Sequence, residues 1–424
     1  MTFRQWLSTV NPLKLFEFFL KDTVSKNALI LLSTWCMNAA AGFVFIFIAA
    51  RMYTIDSLGI ATLLFSYASI VILITRFGIE QSMIRFYDEK EKSSIYCSSI
   101  FITTVSAMIL GLFLISLSYF GVSGSDYLFM YSAVFLIGLI ILSISGISGI
   151  FFLASGKPLI YLFENAIISS RFIFLLIFIP FGVMGIFCSL IIATGLSAIF
   201  SLVLILQYGV KFQLPKKKFI LDSFQYSASN YISDFCLTAP IFLIPIVVFF
   251  ISGQKETAIY SVSYAVASIA FLIPTSIGYA LFMSGCREKT TIPSMKIVMG
   301  STLVLLSGII LVFFFWGKDI VNVLGPDYSG TADLIVLIMS SSIFALFFQI
   351  YSAEFKILRQ MKKLLILNCV FFITLMCLSY IFVMNLGLIG TGYAWIAAYA
   401  ICIVPLVFYT QLNNKHAVSN EGNP

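Results

Sequence analysis

The sequence predicts an all-α integral membrane protein in which twelve transmembrane helices form two six-helix lobes, with both termini in the cytoplasm. Three observations support this fold class. Of the 424 residues, 60% are hydrophobic and only 10% are charged, whereas a soluble protein carries about 25% charged residues. Twelve apolar runs are each long enough to cross a bilayer. The Lys and Arg residues fall almost entirely in alternate connections between these runs.

The segment 1–23 precedes the first apolar run and mixes charged residues with large apolar ones. Charges at Arg4, Lys14 and Lys21 are interspersed with Trp, Leu and Phe. This mixture is typical of an amphipathic segment that lies on the inner membrane surface, and it does not resemble a cleavable signal peptide.

Each of the twelve runs contains about 20 mostly apolar residues, the length that a helix needs to cross the hydrocarbon core. The runs show no alternation of period two, and an open sheet cannot satisfy its backbone hydrogen bonds in lipid, so helix is the expected structure. Their approximate limits are 27–50, 59–79, 95–118, 127–153, 159–181, 183–207, 228–251, 259–284, 297–316, 331–353, 364–384 and 387–411.

The positions of Lys and Arg predict which side of the membrane each connection faces. With the N-terminus in the cytoplasm, 21 of the 25 such residues lie inside, and the outside turns hold Arg51, Lys255 and Lys318. Arg171 is the one that remains, within a span. Because cytoplasmic loops carry an excess of Lys and Arg, this division supports both the number of spans and their orientation.

The widest inside connection divides the chain into two sets of six spans. We expect an N-terminal lobe at 1–207, a cytoplasmic linker at 208–227 that contains KFQLPKKKF, and a C-terminal lobe at 228–424. Because six is an even number, both lobes begin on the inside. This topology is compatible with parallel repeats related by an axis along the membrane normal.

Residue types that carry catalysis or bind metals are scarce in this chain. It has one histidine, His416, and its eight Cys lie mostly within apolar runs, without the spacing of a metal site or a disulfide framework. We therefore predict no catalytic residue and no metal site. The net charge of +7 is dispersed over the loops, which argues against a nucleic acid as partner.

Arg171 is the central candidate for a functional residue because it lies in the middle of span five. A charged side chain at the bilayer centre costs roughly 2.5–3.5 kcal/mol and usually faces a bundle interior or a wet cavity. Glu164 precedes it by two turns on the same helix, about 10.5 Å away along the axis and on nearly the same face. Direct pairing is not expected at that separation. Arg171 therefore either pairs with an acid on another helix or faces a hydrophilic cavity.

Three further polar residues are candidates for lining such a cavity. Arg51 ends span one, where it either snorkels to the outer interface or faces the cavity. Asp234 lies in the first third of span seven, and we expect it to pair with a neighbouring helix or with Arg171, or to respond to a cation or proton. Asn38 lies inside span one and could hydrogen-bond to a bound molecule.

Glycines and basic residues at other positions have simpler explanations. Gly146 and Gly149, within SISGISGIFF, are expected to let helices approach closely. Arg76 and Arg85 end span two on the inside, where the predicted topology alone accounts for them.

Two stretches of the sequence resemble a known family. Residues 51–87 read RMYTIDSLGIATLLFSYASIVILITRFGIEQSMIRFY and look like the start of the polysaccharide exporter family, which includes the Wzx-type O-antigen flippases. A second stretch, ETAIYSVSYAVASIAFLIP at 256–274, resembles the family's entry into span eight, and the LASGKP turn at 153–158 is also typical. The features shared in the first stretch are Arg51, Gly59, Gly78, Glu80, Gln81 and Arg85. With the twelve spans, the resemblance covers almost the whole chain.

The resemblance implies a fold similar to multidrug-and-toxin exporters, with two lobes around a central cavity and an alternating-access mechanism. It implies a flippase that moves undecaprenyl-pyrophosphate-linked O-antigen or polysaccharide repeat units from the inner to the outer leaflet of the bacterial inner membrane. The implied partners are the lipid-linked oligosaccharide, membrane lipids, a polysaccharide polymerase and a chain-length regulator. No cofactor is implied, and coupling to a proton or another ion is left open.

The sequence departs from the family pattern in span seven. Many exporters carry an Asp–Arg pair well inside that span, where this chain reads LTAPIFLIP, and Asp234 lies earlier. A role for Asp234 is therefore not carried over from the family.

Three other functions are alternatives to a flippase. A drug or metabolite cation antiporter of the related multidrug class would expose coupling carboxylates in its first lobe, where Glu164 is the only acid well inside a span. A membrane enzyme, such as a polymerase or glycosyltransferase, would place a sizeable loop outside, whereas the longest outside turn is Gly317–Gly330. A passive scaffold would have no need of Arg171. The flippase is the favoured hypothesis.

Overall fold

The computed structural model describes residues 23–120, 126–215, 217–287, 292–328 and 330–421. Over these ranges the chain is helical and contains no strand, and twelve helices are long and apolar enough to cross a membrane. The predicted fold class is thereby confirmed. The amphipathic segment predicted at 1–23 lies outside the described residues, apart from its last one.

The spans follow one another with short connections, which include the short helices Ile79–Arg85 and Asp126–Met130. Spans one to twelve lie in the helices Thr23–Met52, Ile55–Thr75, Lys92–Tyr119, Ser132–Ala154, Pro158–Ser169 with Arg171–Ile177, Gly182–Gln207, Lys217–Ser252, Gln254–Arg287, Ile292–Asn322, Thr331–Ile357, Met361–Leu386 and Ile389–Glu421.

Several helix ends differ from the limits that hydropathy predicts. Span two begins at Ile55 because Thr54 caps it, its Oγ1 accepting a hydrogen bond from the Ser57 backbone N–H at 3.3 Å. The helix of span seven begins at Lys217, inside the stretch predicted as a linker. The helix of span nine continues to Asn322, which shortens the outside turn after it. Hydropathy detects the apolar part of a helix, and the polar turns at its ends extend beyond that part.

Spans one to six pack on one another, and so do spans seven to twelve, which gives the two lobes. The lobes meet where spans one and two contact spans seven and eight. Under the predicted orientation, the outer end of this interface holds Gly59, where a Cβ atom would lie 1.9 Å from the Gln254 carbonyl oxygen. Only glycine permits so close an approach of two helices. One turn further in, the Ser261 hydroxyl donates to Thr62 Oγ1 at 3.0 Å.

The cytoplasmic end of the interface is joined by side chains. Span two ends in a turn in which Phe77 and Gly78 both have positive φ angles, of 46° and 73°. This turn directs the following helix, which carries Gln81, toward span seven. The Tyr231 hydroxyl of span seven donates to the Ile74 carbonyl oxygen at 2.9 Å. The lobes therefore touch at both ends and leave space between them.

Candidate functional site

Span five is interrupted at Ser170, immediately before Arg171. The Ser170 hydroxyl donates to the Ile167 carbonyl oxygen at 2.6 Å, and serine hydroxyls that bond back to the backbone bend helices. The first helix ends at Ser169, and Arg171 begins a second, seven-residue helix. The expectation that Glu164 and Arg171 share one continuous helix is therefore wrong, although both residues border the same cavity.

Two cavities lie at the lobe interface, and Arg171 borders both. The outer cavity has a volume of about 290 Å³ and is lined mainly by apolar and aromatic side chains, such as Phe65, Phe242 and Tyr264. The inner cavity has a volume of about 470 Å³, and its lining includes the charged side chains of Arg76, Glu80, Glu164 and Arg171. Arg171 thus stands where an apolar space meets a polar one.

The Arg171 guanidinium has aromatic and glycine neighbours. Its Cζ atom lies 5.2 Å from the centroid of the Phe45 ring, and its Nη2 atom lies 3.3 Å from where a Cβ at Gly42 would stand. Within the described residues it forms no ion pair with a carboxylate, and its buried Nε has no hydrogen-bond partner. Arg171 is half-buried, and a cation within the membrane that has no carboxylate partner is costly, so this arrangement favours the binding of an anion.

Glu164 is buried, with 1% of its surface exposed. The Ser145 hydroxyl donates to its Oε1 at 3.3 Å, whereas Oε2 has no hydrogen-bond partner in the described part of the chain. A Cβ atom at Gly149 would lie 2.9 Å from that Oε2. The glycine therefore makes room for the carboxylate.

Arg76 and Gly146 form a second such combination on the inner cavity. A Cβ atom at Gly146 would lie 2.5 Å from Nη2 of Arg76, and Arg76 forms an ion pair with Glu80. The sequence predicts only close helix packing for Gly146 and Gly149, and only a cytoplasmic location for Arg76. Two glycines three residues apart on one helix face indicate that space is left beside the helix. A sequence does not show which neighbouring side chains fill that space.

Asn38 connects spans one and five. Its Nδ2 donates to Asn165 Oδ1 at 2.8 Å, and its Oδ1 accepts from the Ser169 hydroxyl at 3.2 Å. Its polar atoms are thus used within the first lobe. Asn38 lines neither of the two cavities, whereas Asn165 lines the inner one.

Arg51 and Asp234 both bridge the two lobes, one at each end of the interface. Nη1 of Arg51 donates to the Val323 carbonyl oxygen at 3.1 Å. Asp234 Oδ2 accepts from Nε2 of Gln81 at 2.5 Å, so its neighbour is this amide and not Arg171. Neither residue lines the two cavities. Gln81 and Asp234 are 153 residues apart in the chain, so sequence spacing alone does not reveal the contact.

In the ranges that the structure describes, no group of three or more His, Cys, Asp or Glu side chains could hold a metal ion. The charged side chains that line the inner cavity are groups able to bind a polar ligand. They comprise one unpaired cation, one buried carboxylate and one ion pair.

The model of a family described as polysaccharide biosynthesis protein matches residues 24–282, which is more than half of the chain. Among curated proteins, no sequence matches significantly.

Several solved transporters share the fold. The lipid II flippase MurJ, in an inward closed conformation, matches with a TM-score of 0.73 and 14% identity, over 90% of this chain and 87% of that one. An inward-facing multidrug resistance MATE family transporter of the MOP superfamily matches with a TM-score of 0.69 and 15% identity, over 91% and 96% of the two chains. An outward-facing one matches with a TM-score of 0.58 and 14% identity, over 96% and 98%.

At these identities the structural similarity is one of fold, and the fold is that of multi-pass membrane transporters. The family match over residues 24–282 shows that the chain belongs to the polysaccharide biosynthesis protein family.

Proposed function

We propose that this protein is a flippase that moves undecaprenyl-pyrophosphate-linked O-antigen or polysaccharide repeat units from the inner to the outer leaflet of the bacterial inner membrane. The observation that carries the proposal is Arg171, a permanent cation without a carboxylate partner that borders both cavities between the lobes. The family match and the fold shared with a lipid II flippase support it.

The chemistry of Arg171 suits the headgroup of such a lipid. A diphosphate cannot cross hydrocarbon unaided, and a planar guanidinium binds phosphate oxygens with two parallel hydrogen bonds. The aromatic side chains of the outer cavity offer flat apolar surfaces to sugar rings. The lipid tail needs no cavity because it stays in the bilayer. One unpaired arginine between two cavities therefore supplies the positive charge that a diphosphate headgroup requires.

The way the lobes touch supports the alternating-access mechanism that we propose. The outer end is closed by the contact of Gly59 with Gln254, and the cytoplasmic end by Gln81 with Asp234. Each closure must open in turn for a headgroup to enter and leave. The polymerase and chain-length regulator implied by the family resemblance would act on the repeat unit after its transfer.

Surface polysaccharide in a deletion strain tests the proposal. We expect the strain to lose surface polysaccharide and to accumulate lipid-linked repeat units inside, and the wild-type gene to restore export. Arg171→Ala and Arg171→Lys should both impair export at normal protein levels. Lys255→Ala, which removes an exposed cation outside the cavities, is the control and should restore export fully. Normal display in the deletion strain, or full export by Arg171→Ala, contradicts the proposal.

A multidrug or metabolite cation antiporter is the second candidate because the inner cavity also holds carboxylates. Glu164 and Glu80 line it, and the fold is shared with multidrug transporters. Drug susceptibility of the same deletion strain separates the two functions. Increased susceptibility with intact surface polysaccharide favours the antiporter.

A further inference from the structure

The connection between spans ten and eleven concentrates basic side chains in the segment 356–363, the basic turn. Its four exposed cations are Lys356, Arg359, Lys362 and Lys363. Within the described residues none of the four forms an ion pair, although the charge of Lys356 acts on Asp234 in span seven. Under the predicted orientation the basic turn lies at the cytoplasmic surface of the membrane.

Arg359 has a left-handed backbone conformation, with a φ angle of 56°. It follows the end of span ten, where its N–H donates to the Lys356 carbonyl oxygen at 3.2 Å and the Gln360 N–H donates to the Phe355 carbonyl oxygen at 2.8 Å. These two hydrogen bonds form the Schellman motif, in which the left-handed residue is usually glycine. An arginine in this position is strained, because its Cβ atom crowds the following carbonyl oxygen.

Spans four and six end in the same motif, on the same side of the membrane, with glycine in place of arginine. Gly156 and Gly209 have φ angles of 73° and 75°, and the residue after each makes the corresponding second hydrogen bond, at 2.8 Å and 3.3 Å. The basic residues of these two turns, Lys157 and Lys211, come after the glycine. The positive-inside rule is therefore met there without strain. Orientation in the membrane does not require an arginine at 359, and a strained residue points to a use for its side chain.

The basic turn also exposes apolar side chains between its cations. Leu358 is 54% exposed and Met361 is 42% exposed. Basic side chains interspersed with exposed apolar ones are typical of segments at the boundary between phospholipid headgroups and acyl chains. The basic turn lines neither of the two cavities, so a headgroup in transit between the lobes is not its expected ligand.

We propose that the basic turn binds the headgroup of an anionic phospholipid of the inner leaflet, with the Arg359 guanidinium on the phosphate. A guanidinium presents two parallel N–H groups to the free oxygens of a phosphodiester, and the three lysines add to the attraction. Clusters of about four basic residues beside a span bind anionic lipids in this way, and such lipids are abundant in the cytoplasmic leaflet. The bound lipid anchors the cytoplasmic ends of spans ten and eleven at the level of the headgroups.

A short-chain phosphatidylglycerol with a photoreactive acyl chain tests the proposal. It is titrated into the purified full-length protein in an uncharged detergent and cross-linked, and the labelled peptides are identified by mass spectrometry. We expect adducts in the basic turn at low ionic strength and fewer adducts as salt is added, because salt screens exposed charges. The matching phosphatidylcholine, whose headgroup has no net charge, should label the basic turn much less.

Two substitutions of Arg359 separate the effect of its charge from that of its backbone. Arg359→Ala and Arg359→Gly should both weaken phosphatidylglycerol binding about fivefold, since each removes one cation near the membrane surface. Without lipid, Arg359→Gly should have a higher melting temperature than Arg359→Ala, because only glycine adopts the left-handed conformation without strain. Lys90→Gln is the matched control. Lys90 is an exposed cation after span two that lies between Glu89 and Glu91, and its removal should leave lipid binding unchanged.

Unchanged phosphatidylglycerol binding by both Arg359 variants overturns the proposal. So does equal labelling by the two phospholipids, labelling confined to other segments, or a loss of binding in Lys90→Gln as large as that in Arg359→Ala. An Arg359→Gly variant that melts no higher than Arg359→Ala contradicts the strain on which the proposal rests. A short-chain dialkyl diphosphate is added as a competitor. If it displaces phosphatidylglycerol from the basic turn at lower concentration than unlabelled phosphatidylglycerol does, the turn is a docking surface for the transported headgroup and the lipid assignment is wrong.

Discussion

The two lobes have the same number of spans but different interiors. In the first lobe, Glu164 is the only charged side chain that is buried anywhere in the described residues, and Arg171 borders the same cavity. In the second lobe the interior is an uncharged aromatic cluster on spans eight, ten, eleven and twelve, in which the rings of Phe371 and Tyr399 lie 4.5 Å apart. The other members of this aromatic cluster are Tyr260, Tyr264, Phe271, Phe348 and Trp395.

The difference indicates a division of tasks between the lobes. A buried charge without a partner costs stability and persists where a ligand needs it, whereas packed aromatic rings stabilise a lobe without any such cost. In the proposed flippase, the first lobe supplies the charged side chains of the cavities, and the second lobe supplies aromatic side chains such as Phe242 and Tyr264.

The largest expected effect is a difference between two glycine substitutions, one in the interior of the first lobe and one on the surface of the second lobe. Gly149→Leu would force a side chain into Glu164 and Tyr161, since a Cβ there would lie 2.9 Å and 3.1 Å from them. We expect loss of export and a destabilisation of about 1–3 kcal/mol. Gly308→Leu in span nine is the control, because nothing lies within 4 Å of its Cβ position. Surface polysaccharide and thermal stability measure both, and equal defects would erase the contrast between the lobes.

An intermediate effect is expected when the buried asparagine of each lobe is replaced by alanine. Asn165 accepts from Asn38 in the first lobe, and Asn368 donates to the Ser233 hydroxyl at 2.8 Å in the second. Each substitution by Ala leaves a buried group unpaired and should cost about 1–3 kcal/mol in the free energy of unfolding.

Export should fall only for Asn165→Ala, because Asn165 lines the inner cavity and Asn368 lines neither cavity. Thermal unfolding and surface polysaccharide, measured on both variants, check this expectation. A loss of export by Asn368→Ala at normal stability would place binding chemistry in the second lobe as well.

The smallest effect tests whether the aromatic cluster depends on its rings alone. Tyr399→Phe keeps the ring that packs on Phe371 and Phe348. We expect a change of less than about 0.5 kcal/mol in stability and no change in export. A marked loss of export at unchanged stability would show that the second lobe contributes a polar group to transport.

Much of the membrane architecture could be predicted from hydropathy, because lipid requires long apolar helices and the exclusion of charges from them. The same rule identified Arg171, the one basic residue assigned to no loop or span end. Contacts between distant segments were not predictable. The Gln81–Asp234 pair, the Asn38–Asn165 pair and the break at Ser170 depend on which helices become neighbours and on local competition for hydrogen bonds.

The sequence by itself determined the number of spans, their approximate limits and the residues that lipid would reject, because each depends on the transfer of a short segment from water to hydrocarbon. Only the tertiary structure decided what those residues face. Arg171 lies at the meeting of two cavities and Glu164 in a space left by Gly149. Such placements follow from the packing of spans against one another, which is a property of the assembled lobes and not of any single helix.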